Sequence, residues 1–206
     1  MPLQNRVTPF GEIVAVPQRG TMMGNRGIIH DPSTRTLLKR RWTTRAWIIC
    51  VCDFKGARRE VMERRSWTEL FFFDEAAALA AGHRPCFYCQ SQRAKAFQAA
   101  WADGNATPPL SAPAMDTILH GERLDARGGK RRHPIEGSLA GLPDGAMIAA
   151  GDDAYVIKGG KTHLWSWNGY TLSNPKTDNV TLLTPPSTVR ALRAGYSPVI
   201  RLPITP

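Results

Sequence analysis

Residues 69–90 read ELFFFDEAAALAAGHRPCFYCQ, and this segment predicts a strand followed by two helices. The apolar residues at its start predict a buried strand over residues 67–73. Asp74 predicts the start of a short helix, because an aspartate carboxylate can accept hydrogen bonds from the free amides of a first helical turn. Gly82 predicts the end of that helix, and the following proline predicts a second helix over residues 86–102. Two cysteines therefore open the second predicted helix.

The chain has four cysteines, arranged as two close pairs. Cys86 and Cys89 form a C-x-x-C pair at a predicted helix start, where both thiolates can face one ion and the helix dipole stabilises their charge. Cys50 and Cys52 lie in a predicted strand over residues 45–53, and their spacing places both side chains on the same face. We predict that the four sulfurs bind a structural Zn²⁺ ion tetrahedrally.

Other interpretations of the cysteines stay open. Cys50 and Cys52 can be small apolar residues of a buried strand, since free cysteine is among the most buried residue types. The C-x-x-C pair can be a redox pair, although such a pair normally follows a strand and here a helix precedes it. His30 and His83 are reserve ligands if one strand cysteine does not bind the metal.

Residues 69–90 resemble the second half of the zinc-binding domain of Ada-type DNA repair proteins. In that family a strand, a short Ala-rich helix and an Arg-Pro-Cys-x-x-Cys motif supply the last two of four cysteine ligands. The resemblance implies that Cys86 and Cys89 bind zinc beside a DNA-binding surface. The family's first pair is C-x-x-x-C, whose first cysteine accepts a methyl group from a phosphotriester, whereas this chain has Cys50-Val51-Cys52. Methyl acceptance is therefore a minor alternative to zinc ligation alone.

The balance of charge indicates a polyanionic partner. The 206 residues include 27 Lys and Arg against 17 Asp and Glu, a net charge of +10, and basic residues are concentrated between positions 35 and 65. Such clustering is typical of proteins that neutralise phosphates, and we predict binding to nucleic acid, specifically DNA. Trp42 is predicted to stack on an unpaired base. The residues predicted to contact phosphates are Lys39, Arg40, Arg41, Arg45, Arg58, Arg59 and Arg84. The minor alternative is a soluble basic scaffold that binds a protein or a small molecule.

Two groups of residues suggest a metal-dependent DNA endonuclease as an alternative function. Asp53 and Lys55 have the D-x-K form of the PD-(D/E)xK nucleases, in which the carboxylate binds Mg²⁺ or Mn²⁺ and the lysine steadies the attacking water. His120, Glu122 and His133 lie on and after a short predicted helix. A histidine there can act as general base and a glutamate as metal ligand. A solvated helix end is the alternative interpretation of that group.

Two arginines outside the basic segment are also candidates for phosphate contacts. Arg123 lies near the end of the predicted helix that carries His120 and Glu122, where it can clamp a phosphate. Arg26 lies in the glycine-rich segment 20–27, which lacks the G-K-[ST] sequence of a Walker loop. A structural turn is the alternative interpretation of that segment.

The whole chain is predicted to be an α+β protein. A zinc-stabilised, Ada-like α+β module with a basic, nucleic-acid-binding surface is expected over residues 1–103, and residues 104–134 read as a Pro-rich linker with a short helix. A small antiparallel β-rich module is expected over residues 135–206. The amino-terminal segment up to Thr44 reads mainly as loop, with one short strand. No apolar run is long enough for a membrane span, so we expect a cytoplasmic protein without membrane association. The other predicted elements are strands over 13–16, 146–149, 154–158, 163–167, 180–183 and 198–202 and helices over 116–124 and 187–194.

Overall fold

The computed structural model describes residues 1–56, 60–177 and 179–202. The strands of the amino-terminal half are β1 (Arg6–Val7), β2 (Ile13–Val14), β3 (Met22–Asn25), β4 (His30–Asp31), β5 (Thr36–Leu37), β6 (Ile48–Val51), β7 (Leu70–Phe72) and β8 (Arg84–Pro85). Six of them form one sheet in the order β2-β1-β7-β3-β6-β8, and β4 pairs with β5 in a separate hairpin. The central strand β3 is antiparallel to β6 and to β7, whereas β1 is parallel to β7 and β6 is parallel to β8.

The carboxy-terminal half forms a five-stranded antiparallel sheet. Its strands are β9 (Met147–Ala150), β10 (Asp153–Lys158), β11 (Lys161–Ser166), β12 (Gly169–Leu172) and β13 (Val180–Leu182), in the order β12-β11-β10-β9-β13. Two-residue turns separate the first four strands, as their glycine-containing connections predict. The prediction of a small antiparallel sheet is therefore confirmed, and β12 is an additional strand that the sequence did not indicate.

Four α-helices accompany the sheets among the described residues: α1 (Glu75–Ala80), α2 (Ser91–Gly104), α3 (Ala112–Arg123) and α4 (Pro186–Arg193). Asp74 caps α1 as predicted, because its Oδ1 accepts from the backbone amide of Ala77 at 2.9 Å. The end of α2 packs tightly on α4, since a Cβ atom at Gly104 would lie only 2.2 Å from the carbonyl oxygen of Arg190. Within the described ranges, no helix combines the length and the apolar character that crossing a bilayer requires.

One hydrophobic core receives side chains from both halves of the chain. The predicted module boundary at residue 103 lies inside α2, whose apolar face packs into this core. Representative buried members of the core are Val7, Ile49, Phe97, Ile148, Tyr155 and Val189. The fold is thus a mixed α and β architecture in which the two predicted modules share a core.

Several predicted boundaries shift for identifiable reasons. Helix α2 begins at Ser91, because residues 87–90 form a turn instead of the predicted first helical turn, while the amide of Cys86 donates to the carbonyl of Ile49 in the sheet. Helix α3 begins at Ala112, where the Ser111 hydroxyl caps its first turn. The last predicted strand, over residues 198–202, is absent from the described residues 198–202.

Side chains of α1 explain the missing last strand. The amide of Val199 donates to the Glu75 carboxylate at 2.8 Å, and the amide of Arg201 donates to the Asp74 carboxylate at 2.9 Å. These amides are therefore not available for a β-ladder. Most of residues 1–44 is loop or turn, as predicted, but the segment contains five short strands instead of one, because β1, β3, β4 and β5 lie there in addition to the predicted β2.

Candidate metal centre

Three of the four cysteine sulfurs meet at the edge of the first sheet. The Sγ atoms of Cys50, Cys86 and Cys89 all lie within 4.8 Å of one another. Tetrahedral zinc with Zn–S bonds of about 2.3 Å requires sulfur–sulfur separations of about 3.8 Å. The three sulfurs can therefore bind a zinc ion after small side-chain movements, and thiolates are a donor type that zinc favours.

Parallel pairing of β6 and β8 brings these cysteines together. Ile49 of β6 lies opposite Pro85 of β8, so Cys50 and Cys86 follow at the same end of the strand pair. The Ile49 carbonyl accepts from the Cys86 amide at 2.9 Å and from the Gln90 side chain at 2.9 Å. These bonds hold the turn that contains the C-x-x-C pair against β6, so the backbone positions the three sulfurs.

Hydrogen bonds within the group favour a thiolate at Cys86. The Cys50 thiol donates to the Cys86 sulfur, which lowers the pKa of Cys86 to about 5, and the backbone amides of Cys89 and Tyr88 add to this effect. The same hydrogen bond, together with burial, raises the pKa of Cys50. Burial also raises the pKa of Cys89. Cys86 is thus the sulfur that is most readily deprotonated for a cation.

Cys52 lies outside the three-sulfur group. Strand β6 ends at Val51 and the chain bends at Cys52, so the alternation of side chains along a strand no longer places Cys52 beside Cys50. Its side chain is exposed, and its Sγ donates to the Thr21 carbonyl at 3.4 Å. The structure therefore supports three of the four predicted ligands and places the fourth against the neighbouring strand.

The three sulfurs form part of the wall of a large cavity of about 1230 Å³. Aromatic residues and two exposed carboxylates share this wall: Phe54, Trp67, Tyr88, Glu60 and Glu63. Three protein ligands leave one position of a tetrahedral zinc ion for a further ligand. The reserve histidines do not line this cavity. Both ring nitrogens of His30 are engaged, one with the Thr68 hydroxyl at 2.7 Å and the other with the Arg64 carbonyl at 3.1 Å.

Comparison with known proteins gives a short result. No family model, curated protein or solved structure matches this chain. The resemblance of residues 69–90 to Ada-type domains therefore stays a prediction that rests on the motif itself, as does methyl acceptance.

Most of the predicted phosphate-binding residues lie on one exposed loop between β5 and β6, which we call the basic loop (residues 39–45). Its predicted contact residues Lys39, Arg40, Arg41, Trp42 and Arg45 are all exposed. Backbone hydrogen bonds hold both flanks of the loop, from Leu38 to Ile29 at 2.9 Å and from Thr43 to Arg26 at 2.9 Å. Arg58 and Arg59, which were also predicted, lie outside the described residues.

Arg84 is not part of this exposed surface. Its side chain is buried, and its Nε and Nη2 atoms donate to the two carboxylate oxygens of Asp116 at 2.8 and 2.7 Å. This paired arrangement satisfies the guanidinium inside the protein. The predicted phosphate contact of Arg84 is therefore corrected to an internal ion pair that joins β8 to α3.

The D-x-K residues occupy the turn after β6. Asp53 and Lys55 are both exposed, and the Asp53 carboxylate accepts from the Gly56 amide at 3.3 Å. The Lys55 ammonium lies 5.3 Å from the centre of the Phe54 ring. Among residues 1–56, 60–177 and 179–202, Asp53 joins no group of three ligand atoms close enough to share a metal. The turn therefore provides no described partner for a nuclease metal at Asp53.

The second predicted nuclease group is also dispersed. The Glu122 carboxylate accepts from the amide and the hydroxyl of Ser187, where it holds the start of α4. His133 contacts the Glu122 backbone carbonyl, with its Nε2 at 2.7 Å, and His120 contacts the Arg123 guanidinium at 3.0 Å through Nδ1. Partial burial, Arg123 and Arg45 lower the pKa of His120. Within the part of the chain that the structure describes, these three side chains do not converge on one metal position.

A second site, assembled from distant segments, contains buried cations. Arg26 and Arg123 are almost fully buried, and their guanidinium carbons lie 3.9 and 4.0 Å from the centre of the Trp47 ring. Lys130 approaches the same group, and its ammonium donates to the Ala80 carbonyl. Arg26 and Arg123 were candidates for phosphate contacts in the sequence, whereas Lys130 was not, because no local pattern links position 130 to position 26.

Proposed function

We propose that this chain is a zinc-stabilised DNA-binding protein of the repair or processing type. Cys50, Cys86 and Cys89 hold the Zn²⁺ ion, and the basic loop contacts DNA phosphates. The observation that carries the proposal is the convergence of three cysteine sulfurs beside β6. This strand carries Cys50 and directly follows the basic loop. In this arrangement a bound zinc ion acts as a tetrahedral cross-link between β6 and the C-x-x-C turn.

Two hydrogen bonds hold the carboxy-terminal end of the basic loop next to β6. The Arg45 carbonyl accepts from Arg123 at 2.7 Å, and the indole nitrogen of Trp47 donates to the Thr44 carbonyl at 3.1 Å. Trp47 itself is buried directly before β6. A cross-link that fixes β6 therefore also restrains the carboxy-terminal end of the basic loop, which reduces the conformational entropy lost when the loop binds a ligand.

Charge supports nucleic acid as the partner. The chain carries a net charge of +10, and four of the seven residues of the basic loop are cationic. Four phosphate contacts predict a slope of about −3.6 in the logarithm of the binding constant against the logarithm of salt concentration for duplex DNA, and about −2.8 for a single strand. Trp42, which is 38% exposed, offers a ring on which a base can stack.

Metal analysis and DNA binding test the two halves of the proposal. Purified protein should contain one zinc ion per chain, and fluorescence anisotropy with a labelled duplex should show affinity that falls steeply as salt rises. Replacing Arg40 and Arg41 by Gln should weaken binding. The control variant, Lys161→Gln with Lys176→Gln, removes the same charge from exposed positions of the carboxy-terminal half and should bind normally. Weak affinity that is insensitive to salt would instead favour the soluble scaffold.

The repair role rests on the resemblance of residues 69–90, and a separate assay addresses it. After incubation with DNA that contains methylphosphotriesters, mass spectrometry of the digested protein should show whether a methyl group has moved to Cys50. The endonuclease alternative is tested by incubating the protein with supercoiled plasmid and Mg²⁺ or Mn²⁺. Because the described residues of its two candidate sites do not converge, we expect no nicking that EDTA abolishes.

A further inference from the structure

The buried Arg26 and Arg123 and the half-buried Lys130 line a cavity of about 280 Å³, separate from the one at the cysteines. Trp47 and two members of the basic loop, Arg41 and Trp42, also line it. The volume is near the lower limit of about 300 Å³ that is common for ligand pockets, so the cavity suits a small ligand. Its position beside the basic loop makes it accessible to the same class of partner.

The cavity holds donors that the protein leaves unused. The Nη2 atom of Arg26 and the Nε atom of Arg123 are buried and have no hydrogen-bond partner among the residues that the structure describes. The other nitrogens of Arg26 donate to the Gly11 carbonyl at 3.0 Å and to Nε2 of His83 at 3.2 Å. Buried donors are rarely left unsatisfied in folded proteins, so these two atoms indicate a missing acceptor.

The positive charge of the cavity is only partly compensated, by Glu12 on its wall and by the more distant carboxylates of Asp116 and Glu122. Among the described residues, none of Arg26, Arg123 and Lys130 has a carboxylate within 4.0 Å of its charged nitrogens. Burial is the main reason that the pKa of Arg26 and the pKa of Arg123 are lowered to about 9 and the pKa of Lys130 is lowered to about 7. Neighbouring cations of the group lower the pKa of Arg26 and of Lys130 further. Burying cations without a carboxylate in direct contact is unfavourable, and a bound anion lowers that penalty.

Local structure shows how the guanidinium of Arg123 is held. Its Nη1 atom donates to the carbonyl of Gly82 at 3.0 Å. Gly82 has a φ of +89°, and a Cβ atom there would lie 2.6 Å from the Cβ of Arg123, so only glycine permits this approach.

Nε2 of His83 accepts from Arg26, which places the proton of the neutral ring on Nδ1. His83 therefore orients Arg26 without adding an anionic charge.

We propose that this cavity is a binding site for a phosphate monoester, whose oxygens accept hydrogen bonds from Arg26, Arg123 and Lys130. Guanidinium groups suit phosphate because they present several donors in one plane. Trp42, which is exposed, provides flat apolar surface for the group that the phosphate carries. Two sources share this chemistry: the terminal phosphate of a nucleic acid strand and a free mononucleotide. The site stands on its own geometry and does not depend on the basic loop binding duplex DNA.

Calorimetric titration with inorganic phosphate tests the site directly. We expect saturable binding to the zinc-replete protein in chloride buffer of constant ionic strength. Lys130→Met should weaken it by roughly tenfold to a hundredfold, because a charge-assisted hydrogen bond is lost. The matched control is Arg127→Met, since Arg127 is exposed, lies on the same connection after α3 and does not line the cavity. Arg41→Met is a second variant that should weaken phosphate binding. Because Arg41 is exposed, its replacement leaves the buried arginines intact.

Oligonucleotides with and without a 5′-phosphate then distinguish the sources. Tighter binding of the phosphorylated strand, lost in Lys130→Met, supports the site with a nucleic acid end as ligand. Equal binding of both strands, with saturable binding of a nucleoside monophosphate that Lys130→Met weakens, supports the site with a free nucleotide. The proposal is overturned if inorganic phosphate does not bind, or if Arg127→Met weakens binding as much as Lys130→Met does. Duplex binding that depends on Arg40 would still be observed if the phosphate site does not exist. The DNA-binding proposal and the phosphate-site proposal are therefore tested separately.

Discussion

Replacement of single cysteines provides the sharpest test of the metal centre. The structure groups Cys50, Cys86 and Cys89 and places Cys52 against Thr21. We expect Cys86→Ser to lose zinc and Cys52→Ser to retain one zinc ion per chain. The second variant is a matched control, because it makes the same chemical change only a few residues from a proposed ligand.

The size of the effect follows from linkage between binding and folding. With free zinc buffered at about a thousand times its dissociation constant, binding stabilises the folded protein by about 4.1 kcal/mol. For a chain of 206 residues each kcal/mol corresponds to about 2–4 °C in Tm, so Cys86→Ser should lower Tm by roughly 8–16 °C. The Cys52 side chain is exposed and makes one weak hydrogen bond, so Cys52→Ser should change stability by less than about 0.5 kcal/mol.

The assay combines metal analysis by mass spectrometry with thermal unfolding in zinc-buffered and chelator-treated samples. Wild-type protein and Cys52→Ser should lose stability when zinc is removed, whereas Cys86→Ser should be insensitive to the chelator. Equal loss of zinc from Cys52→Ser and Cys86→Ser would refute the three-sulfur arrangement and favour the four-cysteine site predicted from the sequence. Freely alkylated thiols in native wild-type protein that contains no zinc would refute the metal centre as a whole.

Three further predictions concern charged residues. Replacing Arg40 and Arg41 by Gln removes two of the four cations of the basic loop. The salt slope for duplex binding, measured by anisotropy, should therefore change from about −3.6 to about −1.8. An unchanged slope would contradict the proposal that the basic loop contacts DNA phosphates. Arg84→Met leaves the Asp116 carboxylate buried without its partner and should lower the free energy of unfolding by about 3–5 kcal/mol in urea titration, with partial recovery when Asp116→Leu is added. Burial lowers the pKa of Lys130 from its ordinary value to about 7, so the unfolded chain binds more protons above that pH. In phosphate-free buffer, stability should therefore rise from about pH 7 towards pH 10, and Lys130→Met should remove that part of the rise.

Local chemistry explains what could be predicted from the sequence. Asp74 caps α1 because the capping hydrogen bond spans only three residues, to the Ala77 amide. The second sheet follows from short apolar segments separated by two-residue turns, which are also local features. The C-x-x-C pair was predicted correctly as a close pair of sulfurs for the same reason, although its helix begins later than expected.

Residues far apart in the chain account for what the sequence did not reveal. The residues next to Arg84 in the sequence do not distinguish it from an exposed arginine. Only the packing of α3 on β8 places Asp116 within 2.8 Å of it. Cys52 differs from Cys50 because the chain bends after Val51, a feature that depends on the end of pairing between β3 and β6. The pairing partner, and not the spacing of the cysteines, decides which sulfur faces the C-x-x-C turn.

Neighbouring residues, or a simple sum of charges, account for the Asp74 cap of α1, the hairpin turns, the basic composition and the two cysteine pairs, so these features could be read from the amino-acid sequence. Packing between distant segments is what brings three sulfurs together, makes Arg84 internal, and places Arg26, Arg123 and Lys130 around one cavity. Those outcomes depend on contacts between segments up to about a hundred residues apart. Such contacts exist only after the core has formed.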